Sequence, residues 1–423
     1  MEYDSSESGH RFALLYQLSQ TFSSSLDLAE VLDLVIDEVL KALKAERGFV
    51  ALWNENGALE FRSARGLHKT TIEQPEFEIS RGVVEEVAKR GNGICISDAQ
   101  SDTRFRKRRS VLELHLRSIL CAPLKLKENI LGVIYIDNSM VTGIFTEKDL
   151  ELLIAIASTA VIAIENARLY EVAIEKGRME RELQMAYRVQ SSLIPKEMPE
   201  IPGWEFAACW QPARVVSGDF YDLIPDKQGG LKFIIADVTD KGMPAALFMA
   251  LTRTIVRASC ETLESLAEGI SKTNQLICND TALAMPVTLF AGRLNINTGQ
   301  MIYVNAGQNP PMYYKAEEGK FIKLTRTGMF LGFEEEAEFQ QKSIFIKPGD
   351  LLICYTDGVL DAVDDQWEAF EMERFQAVIN KNVNSSPNEL LEAIEESVCE
   401  FIGDVLPYDD ITMLIIKRLG AEL

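Results

Sequence analysis

Histidine is scarce in this chain: three residues among 423, at positions 10, 68 and 115. All three lie in the first third of the chain, which excludes a histidine-ligated metal site from the second half. Cysteine offers no alternative there, because the seven residues are scattered and no Cys-x-x-Cys pair occurs. This usage indicates buried thiols in a reducing cytoplasm, and it argues against a disulfide framework or a zinc site.

Basic residues are also few relative to acidic residues. The chain has 43 Lys and Arg against 64 Asp and Glu, a formal net charge of −21, and a pI near 4.7. Nucleic acids and anionic membranes require a basic surface, so neither is expected as a main partner. The longest nearly apolar run, Leu152–Ile164, has 13 residues, whereas a spanning helix needs about 20. We therefore expect no membrane span, no signal peptide and a cytoplasmic location.

The length predicts two or three domains, and the 47% apolar content is ample for their cores. Residues 1–11 are polar and are expected to be flexible. Residues 12–168 show helical periodicity followed by strand-like runs, which predicts an α+β domain. Residues 196–420 predict a β-sandwich flanked by helices. Its predicted strands are 206–210, 220–224, 231–236, 287–295, 301–305, 343–346, 351–355 and 411–417, and its predicted helices are 243–263, 266–280, 371–380 and 387–401.

Proline is absent from Thr146 to Leu193, and Gly177 is the only glycine there. A continuous helix of this length would reach roughly 70 Å at about 1.5 Å per residue. Seven of ten positions in a heptad frame are apolar, which indicates a coiled-coil linker over residues 169–195 and a homodimer. A solvated helix packed on its own domain is the alternative. The frame consists of Ile162, Glu165, Leu169, Val172, Lys176, Met179, Leu183, Ala186, Gln190 and Leu193.

Four short acidic segments lie in the second half, each at the end of an apolar, strand-like run or just before one. They contain Asp219, Asp237, Asp357 and Asp409. Aspartate is a poor strand residue and is costly to bury without a partner. Carboxylates that meet at strand ends suit hard divalent cations, and four of them are enough for a two-metal site. Simple Asp-Gly turns are the other reading of each segment taken alone.

The order of these segments resembles the metal-dependent protein phosphatases of the PPM family. The matching pieces are SGDFYD (217–222), ADVTDKG (236–242), NAGQNPP (305–311), YTDGV (355–359) and YDDIT (408–412). The pattern is most similar to the bacterial SpoIIE/RsbU-like branch, which dephosphorylates phosphoserine or phosphothreonine on anti-sigma-factor antagonists. The resemblance covers about residues 193–418. It implies an αββα sandwich that binds two Mn²⁺ or Mg²⁺ ions.

The resemblance also implies roles for individual residues. Asp219 and Asp237 would hold the two metals, with Asp237 bridging them, and the Val238 carbonyl would be a ligand beside it. Asp357 and Asp409 would complete the shell of one metal. Asp410 is a further candidate ligand and Asp222 a structural or supporting carboxylate. Arg214 is either a contact to the substrate phosphate or a solvated surface arginine.

Two positions depart from the family pattern. Thr239 stands where the eukaryotic branch has a histidine that can act as general acid, so the resemblance assigns no proton donor. Gln308 replaces the histidine of the usual NAGHNPP segment. A glutamine side chain keeps its hydrogen-bonding capacity but cannot become a cation.

The front of the chain resembles a GAF domain, over about residues 12–169. The matching pieces are ERGFVAL (46–52), RSILCAPL (117–124), LGVIYIDN (131–138) and FTEKDL (145–150). Ser139 and Leu150 depart from the signature of cyclic-nucleotide-binding members, so the resemblance implies a sensor whose small-molecule or protein signal is not specified. The basic stretch at residues 104–109 is either a binding surface for an anionic ligand or acidic partner, or a solvated loop.

Together these features predict a cytoplasmic signalling enzyme with a GAF sensor, a coiled-coil linker and a PPM-type catalytic domain. The expected reaction is hydrolysis of a phosphoserine or phosphothreonine ester on a protein, without a phosphoenzyme, and the resemblance implies that the protein is an anti-sigma-factor antagonist. The alternative from another class is a binding module that keeps the fold but signals by protein–protein interaction. A small-molecule phosphatase is the third reading.

Overall fold

The structure is a computed structural model that describes residues 3–54, 56–66, 70–72, 79–99, 118–138, 143–226, 229–280 and 285–420. The chain divides into two compact units, residues 1–179 and 180–423. The basic stretch at 104–109 lies outside the described residues. The first helix begins at Tyr3, within the segment that was expected to be irregular.

The first unit is an antiparallel five-stranded sheet with helices on both faces. Its elements are α1 (Tyr3–Phe22), α2 (Leu28–Leu43), β1 (Arg47–Trp53), β2 (Leu59–Gly66), α3 (Arg81–Arg90), β3 (Ile94–Ile96), β4 (Ser118–Leu126), β5 (Asn129–Asn138) and the first part of α4 (Glu147–Leu193). The strand order is β2-β1-β5-β4-β3. One core cluster joins the sheet to α1, α2 and α4, and a second joins its other face to α3. The α+β prediction for this region is confirmed.

Helix α2 illustrates how the sequence sets these elements. The Asp27 carboxylate caps the helix by accepting a hydrogen bond from the Glu30 amide at 3.0 Å. Apolar residues then recur at three- and four-residue intervals from Val31 to Val39 and are buried. The spacing places them on one face, which packs against the sheet.

Helix α4 has 47 residues, and its ends belong to different units. By length and composition alone it is the one described helix that is apolar enough to cross a bilayer. Half of its most apolar 18-residue window is buried inside the fold, as in the core helix of a globular domain. Further along, the seam residues Ile162, Leu169, Val172 and Met179 are 55–61% exposed.

The second unit is a sandwich of two antiparallel sheets between two helical layers. One sheet has the order β13-β10-β9-β8-β7 and the other β12-β11-β14-β15-β6. Its strands are β6 (Trp204–Gln211), β7 (Phe220–Asp226), β8 (Gly230–Val238), β9 (Val287–Asn295), β10 (Gln300–Ala306), β11 (Met312–Lys315), β12 (Lys320–Lys323), β13 (Lys342–Phe345), β14 (Leu351–Tyr355) and β15 (Ile411–Arg418). Its other helices are α5 (Met243–Thr262), α6 (Leu266–Asp280), α7 (Glu371–Asn382) and α8 (Pro387–Ile402).

Three hydrophobic clusters define the layers of this sandwich. The central cluster takes residues from strands of both sheets. A second covers the outer face of the first sheet with α5 and α6, and a third covers the outer face of the other sheet with α7 and α8. The predicted αββα arrangement is therefore confirmed.

Strand pairing brings the acidic segments to one end of the sandwich. Phe220 pairs with Ala236, so Asp219 and Asp237 flank the same end of the β7–β8 pair. Tyr355 pairs with Met413 across β14 and β15, which places residues 356–357 beside 409–412. A short 3₁₀ turn, Asp357–Val359, follows β14 directly.

Candidate metal centre

Four aspartates predicted from the sequence meet at this end of the sandwich. The pKa of Asp219, which is buried, is raised well above its usual range by burial and by the charges of Asp237 and Asp410. Burial and the neighbouring Asp357 carboxylate raise the pKa of Asp237 to about 7, and Asp409 contributes in the same direction. The pKa of Asp357 is likewise raised by burial and by Asp409. The carboxylates are therefore close enough to raise one another's pKa values.

Threonines orient the buried member of this group. The Thr356 hydroxyl donates a hydrogen bond to Asp219 Oδ2 at 2.7 Å and accepts one from the Thr412 amide at 3.0 Å. The Trp210 indole N–H donates to the Asp219 carbonyl at 2.8 Å. Sequence reasoning did not assign Thr356 or Thr412 a role. Thr356 follows β14 next to Asp357 and Thr412 stands two residues after Asp410, but nothing in the sequence indicates that either lies at Asp219.

Asp410 contacts the loop that precedes β7. Its Oδ1 accepts from the Ala213 amide at 2.7 Å, and its Oδ2 accepts from the Ser217 hydroxyl and the Gly218 amide, both at 2.8 Å. Both oxygens are therefore engaged with the loop before β7. These contacts anchor the loop that leads to Asp219, and metal ligation by Asp410 stays a prediction.

Asp222 is also structural. It is fully buried and pairs with two arginines of α5, at 2.9 Å from Arg257 Nη1 and 3.1 Å from Arg253 Nη2. This ion pair ties β7 to α5. The supporting role considered for Asp222 is thus to fix the strand that begins beside Asp219.

Two glycines permit the backbone to approach closely at this site. A Cβ on Gly218 would lie 2.9 Å from the Val238 carbonyl oxygen, the predicted backbone ligand, and a Cβ on Gly358 would overlap the Asp410 carbonyl. Any larger residue at either position would displace these groups.

Sequence reasoning missed two further charged residues at the site. Lys241 Nζ lies 2.9 Å from Asp409 Oδ2 and 4.1 Å from the centroid of the Tyr408 ring. The exposed carboxylate of Asp361 has its pKa raised by partial burial and by Asp409. Its spacing of four residues from Asp357, about one helical turn, was the available signal.

Among the described residues, no ion pair or hydrogen bond joins Arg214 or Gln308 to the four aspartates. Arg214 is exposed and forms no ion pair or hydrogen bond with any residue that the structure describes, so its phosphate contact stays a prediction. Gln308 is buried and accepts hydrogen bonds from the Thr288 hydroxyl at 3.0 Å and from the Asn309 amide at 2.9 Å. It therefore supports the end of β9 locally.

The donor set suits Mn²⁺ or Mg²⁺. Its groups are all oxygens, from carboxylates and one backbone carbonyl, which are the ligands that hard cations prefer. Within the described residues, no group of three or more Asp, Glu, His or Cys side chains is already arranged to hold a metal ion. The mutual repulsion that raises the pKa values of these carboxylates would be offset by a bound divalent cation. Mg²⁺ usually keeps several waters as ligands, so it does not need a complete set of protein ligands.

Comparisons with known proteins agree with this geometry. The family model for stage II sporulation protein E (SpoIIE) matches residues 227–419, and the GAF model matches residues 27–164. The chain carries a GAF domain followed by a SpoIIE-type phosphatase domain of the PPM family. Both family predictions from the sequence are confirmed. Metal dependence is general in this family.

Several curated relatives align with more than half of the chain. Protein IcfG of Synechocystis is 33% identical over 272 residues, 58% of this chain and 43% of IcfG. The phosphoserine phosphatase RsbU of Bacillus subtilis is 27% identical over 237 residues, 56% of this chain and 70% of RsbU. The chain thus spans less than half the length of IcfG.

A solved structure shares the fold of the second unit. The SiaA-PP2C domain of Pseudomonas aeruginosa is similar with a TM-score of 0.53 and 21% identity. The match covers 59% of this chain and all of that domain. It supports the sandwich fold of the SpoIIE-type domain.

Proposed function

We propose that this chain is a metal-dependent protein phosphatase that acts on phosphoserine or phosphothreonine and is regulated by its GAF domain. The observation that carries the proposal is the meeting of Asp219, Asp237, Asp357 and Asp409 at one end of a SpoIIE-type sandwich. RsbU, a phosphoserine phosphatase by name, supports the choice of substrate class. By the same resemblance, the substrate is an anti-sigma-factor antagonist.

The residues of the chain prepare the site for this reaction. Asp410 fixes the loop before Asp219, and the Thr356 hydroxyl holds the Asp219 carboxylate in one orientation. Lys241 balances the charge of Asp409. Two Mn²⁺ or Mg²⁺ ions, held by Asp219, Asp237, Asp357, Asp409 and the Val238 carbonyl, would activate water and stabilise the charge that develops on the transferred phosphoryl group.

The location and the assembly state are part of the proposal. All seven cysteines are free thiols, which supports a reducing cytoplasm. The exposed apolar residues of α4 between Ile162 and Met179 support pairing of two copies through this helix.

Metal dependence tests the proposed activity directly. The purified chain should hydrolyse an aryl phosphate and a phosphoserine peptide with Mn²⁺, and chelation should abolish both reactions. Asp237→Asn removes one charge from the predicted bridge and should lower kcat/KM by about a hundredfold or more. Glu392→Gln, which makes the same carboxylate-to-amide change at an exposed position of α8, is the matched control.

Two results would contradict the proposal. Undiminished turnover by Asp237→Asn with unchanged Mn²⁺ binding would refute the two-metal assignment. A wild-type chain that binds a phosphoprotein but hydrolyses neither probe at saturating Mn²⁺ would favour the non-catalytic binding module.

A further inference from the structure

A small ordered hairpin follows the acidic segment of Asp357. Val363 and Ala369 form an antiparallel bridge. The Asp364 carboxylate accepts hydrogen bonds from the amides of Gln366 and Glu368, both at 2.9 Å, which closes the turn. The Trp367 amide donates to the Asp364 carbonyl at 3.2 Å. The hairpin therefore has a defined shape.

The base of this hairpin is fixed beside the candidate metal centre. The Phe370 amide donates to the Ala362 carbonyl at 2.8 Å, and the Glu371 amide donates to the Leu360 carbonyl at 3.0 Å. Asp361, at the start of the hairpin, interacts electrostatically with Asp409 and Lys241. Three extended residues reach about 10 Å, so Trp367 at the tip lies no farther than about that from the base of the hairpin.

Trp367 stands at the tip in a conformation that costs free energy. Its φ is +65°, in the left-handed region that favours glycine, and its side chain is 76% exposed. The Trp367 side chain buries little apolar surface and so contributes little to the stability of the fold. Backbone strain held at such a position points to a function. Exposed tryptophans are also common anchors of protein interfaces.

Two further apolar side chains stand on the segment that leads to Asp409. Leu406 is 85% exposed and Tyr408 is 55% exposed. Trp367 belongs to the segment that continues from Asp357, so exposed apolar side chains occur on two of the four segments that supply predicted ligands. We call Trp367, Leu406 and Tyr408 the apolar rim.

We propose that the apolar rim docks the protein substrate and thereby selects it. The proposal rests on the phosphatase function proposed above, because a phosphoprotein must contact this rim when its phosphate reaches the carboxylates. The partner is a phosphoprotein with apolar side chains next to its phosphoserine or phosphothreonine. Since the hairpin also carries Asp361, Asp364, Asp365 and Glu368, the surrounding partner surface is basic.

Two synthetic phosphoserine peptides of equal length provide the probes. One carries Leu and Lys around the phosphoserine, and the other carries Gly and Glu. The full chain with Mn²⁺ should show a kcat/KM at least about tenfold higher for the first peptide, which is the size of effect expected of an interface anchor. Trp367→Gly should reduce this ratio to near one, and Trp367→Phe should restore part of it. Phe345→Ala, which removes an exposed aromatic from β13, is the matched control and should keep the ratio.

A wild-type chain that does not discriminate, or a Trp367→Gly chain that keeps the full preference, would overturn the proposal. Misfolding is excluded by melting temperature, which Trp367→Gly should leave equal or raise, because glycine accepts the positive φ. Fluorescence anisotropy gives a second measurement that needs no turnover. The labelled Leu/Lys peptide should bind the Asp237→Asn chain at least about tenfold more tightly than it binds the Asp237→Asn, Trp367→Gly chain. Equal binding would also overturn the proposal. Absent aryl phosphate hydrolysis by the wild type would instead refute the phosphatase function.

Discussion

Gly218 lies between two predicted parts of the metal centre, the Asp219 segment and the Val238 carbonyl. Its amide donates to Asp410, its neighbour in sequence is Asp219, and the position of its missing Cβ faces the Val238 carbonyl at 2.9 Å. At that distance either the carbonyl or the loop must move to accommodate a methyl group. A side chain at this position therefore acts on the carbonyl ligand and on the Asp219 segment together.

Gly218→Ala should weaken Mn²⁺ binding by about tenfold or more while the chain remains folded, since the displaced carbonyl is a predicted ligand. Isothermal titration with Mn²⁺ measures this effect apart from turnover. Gly177→Ala is the matched control, because nothing lies within 4 Å of its added methyl group and alanine favours the helix. Equal Mn²⁺ affinity in the Gly218→Ala and Gly177→Ala chains would show that the Val238 carbonyl is not a ligand.

Residues at the site differed in how well the sequence predicted them. Asp219, Asp237, Asp357 and Asp409 were accessible because an aspartate at the end of an apolar strand is locally anomalous. Lys241 and Thr356 were not, since their partners lie 168 and 137 positions away along the chain and only strand pairing brings them close. The role of Asp410 could not be decided from the sequence, because an adjacent aspartate looks the same whether it faces the metal or the loop.

How well the sequence predicted each helix and strand depended on the length of the element and on its context. The four helices predicted in the second unit are present, because each is amphipathic over three turns or more. Strands β11 and β12 were missed, since both have four residues and take their register from pairing with each other. Their alternation is too short to stand out from the surrounding turns.

Helix α4 departs from the heptad prediction near its end. Gln190 was placed on the dimer seam, but it is buried within the SpoIIE-type domain, which corrects that assignment. Its Oε1 accepts from the Ser217 amide at 3.0 Å, and its Nε2 donates to the Ser217 carbonyl at 2.6 Å. Three residues earlier, Tyr187 stacks on Trp210. The last turns therefore pack against the loop before Asp219, and the exposed seam is limited to residues 162–179.

Dimerisation through α4 follows from this exposed seam. The intact chain should scatter light as a dimer near twice 47.4 kDa at about ten micromolar, because association removes the seam from water. Leu169→Asp with Val172→Asp should give a monomer. Tyr170→Asp with Ile174→Asp introduces the same two charges at comparably exposed positions off the heptad frame and should leave the dimer intact. A wild-type monomer, or equal effects of both changes, would refute the coiled coil.

At the scale of the whole molecule, α4 is the covalent route from the GAF domain to the SpoIIE-type domain. Residues 147–179 of the helix belong to the first unit and residues 180–193 to the second. A signal at one domain biases the other only if the ligand distinguishes two states of an element that they share. The contacts of Gln190 and Tyr187 connect this element to the loop of Asp219 and Asp410.

Insertions next to Gly177 test whether rotation of α4 carries the signal. Each added residue turns one half of the helix against the other by about 100°, so one to three residues should change the phosphatase rate non-monotonically. A seven-residue insertion should nearly restore the rate, because it preserves the heptad phase while lengthening the helix. The rate is measured with an aryl phosphate at saturating Mn²⁺, and the seven-residue variant is the control for length. If all insertion variants have the same rate, equal to that of a fragment of residues 180–423, the GAF domain does not control turnover through this helix. Recovery of the rate at seven residues would instead show that the rate depends on the angular position of Gln190 about the helix axis. Shorter insertions change this angle, whereas seven residues nearly restore it.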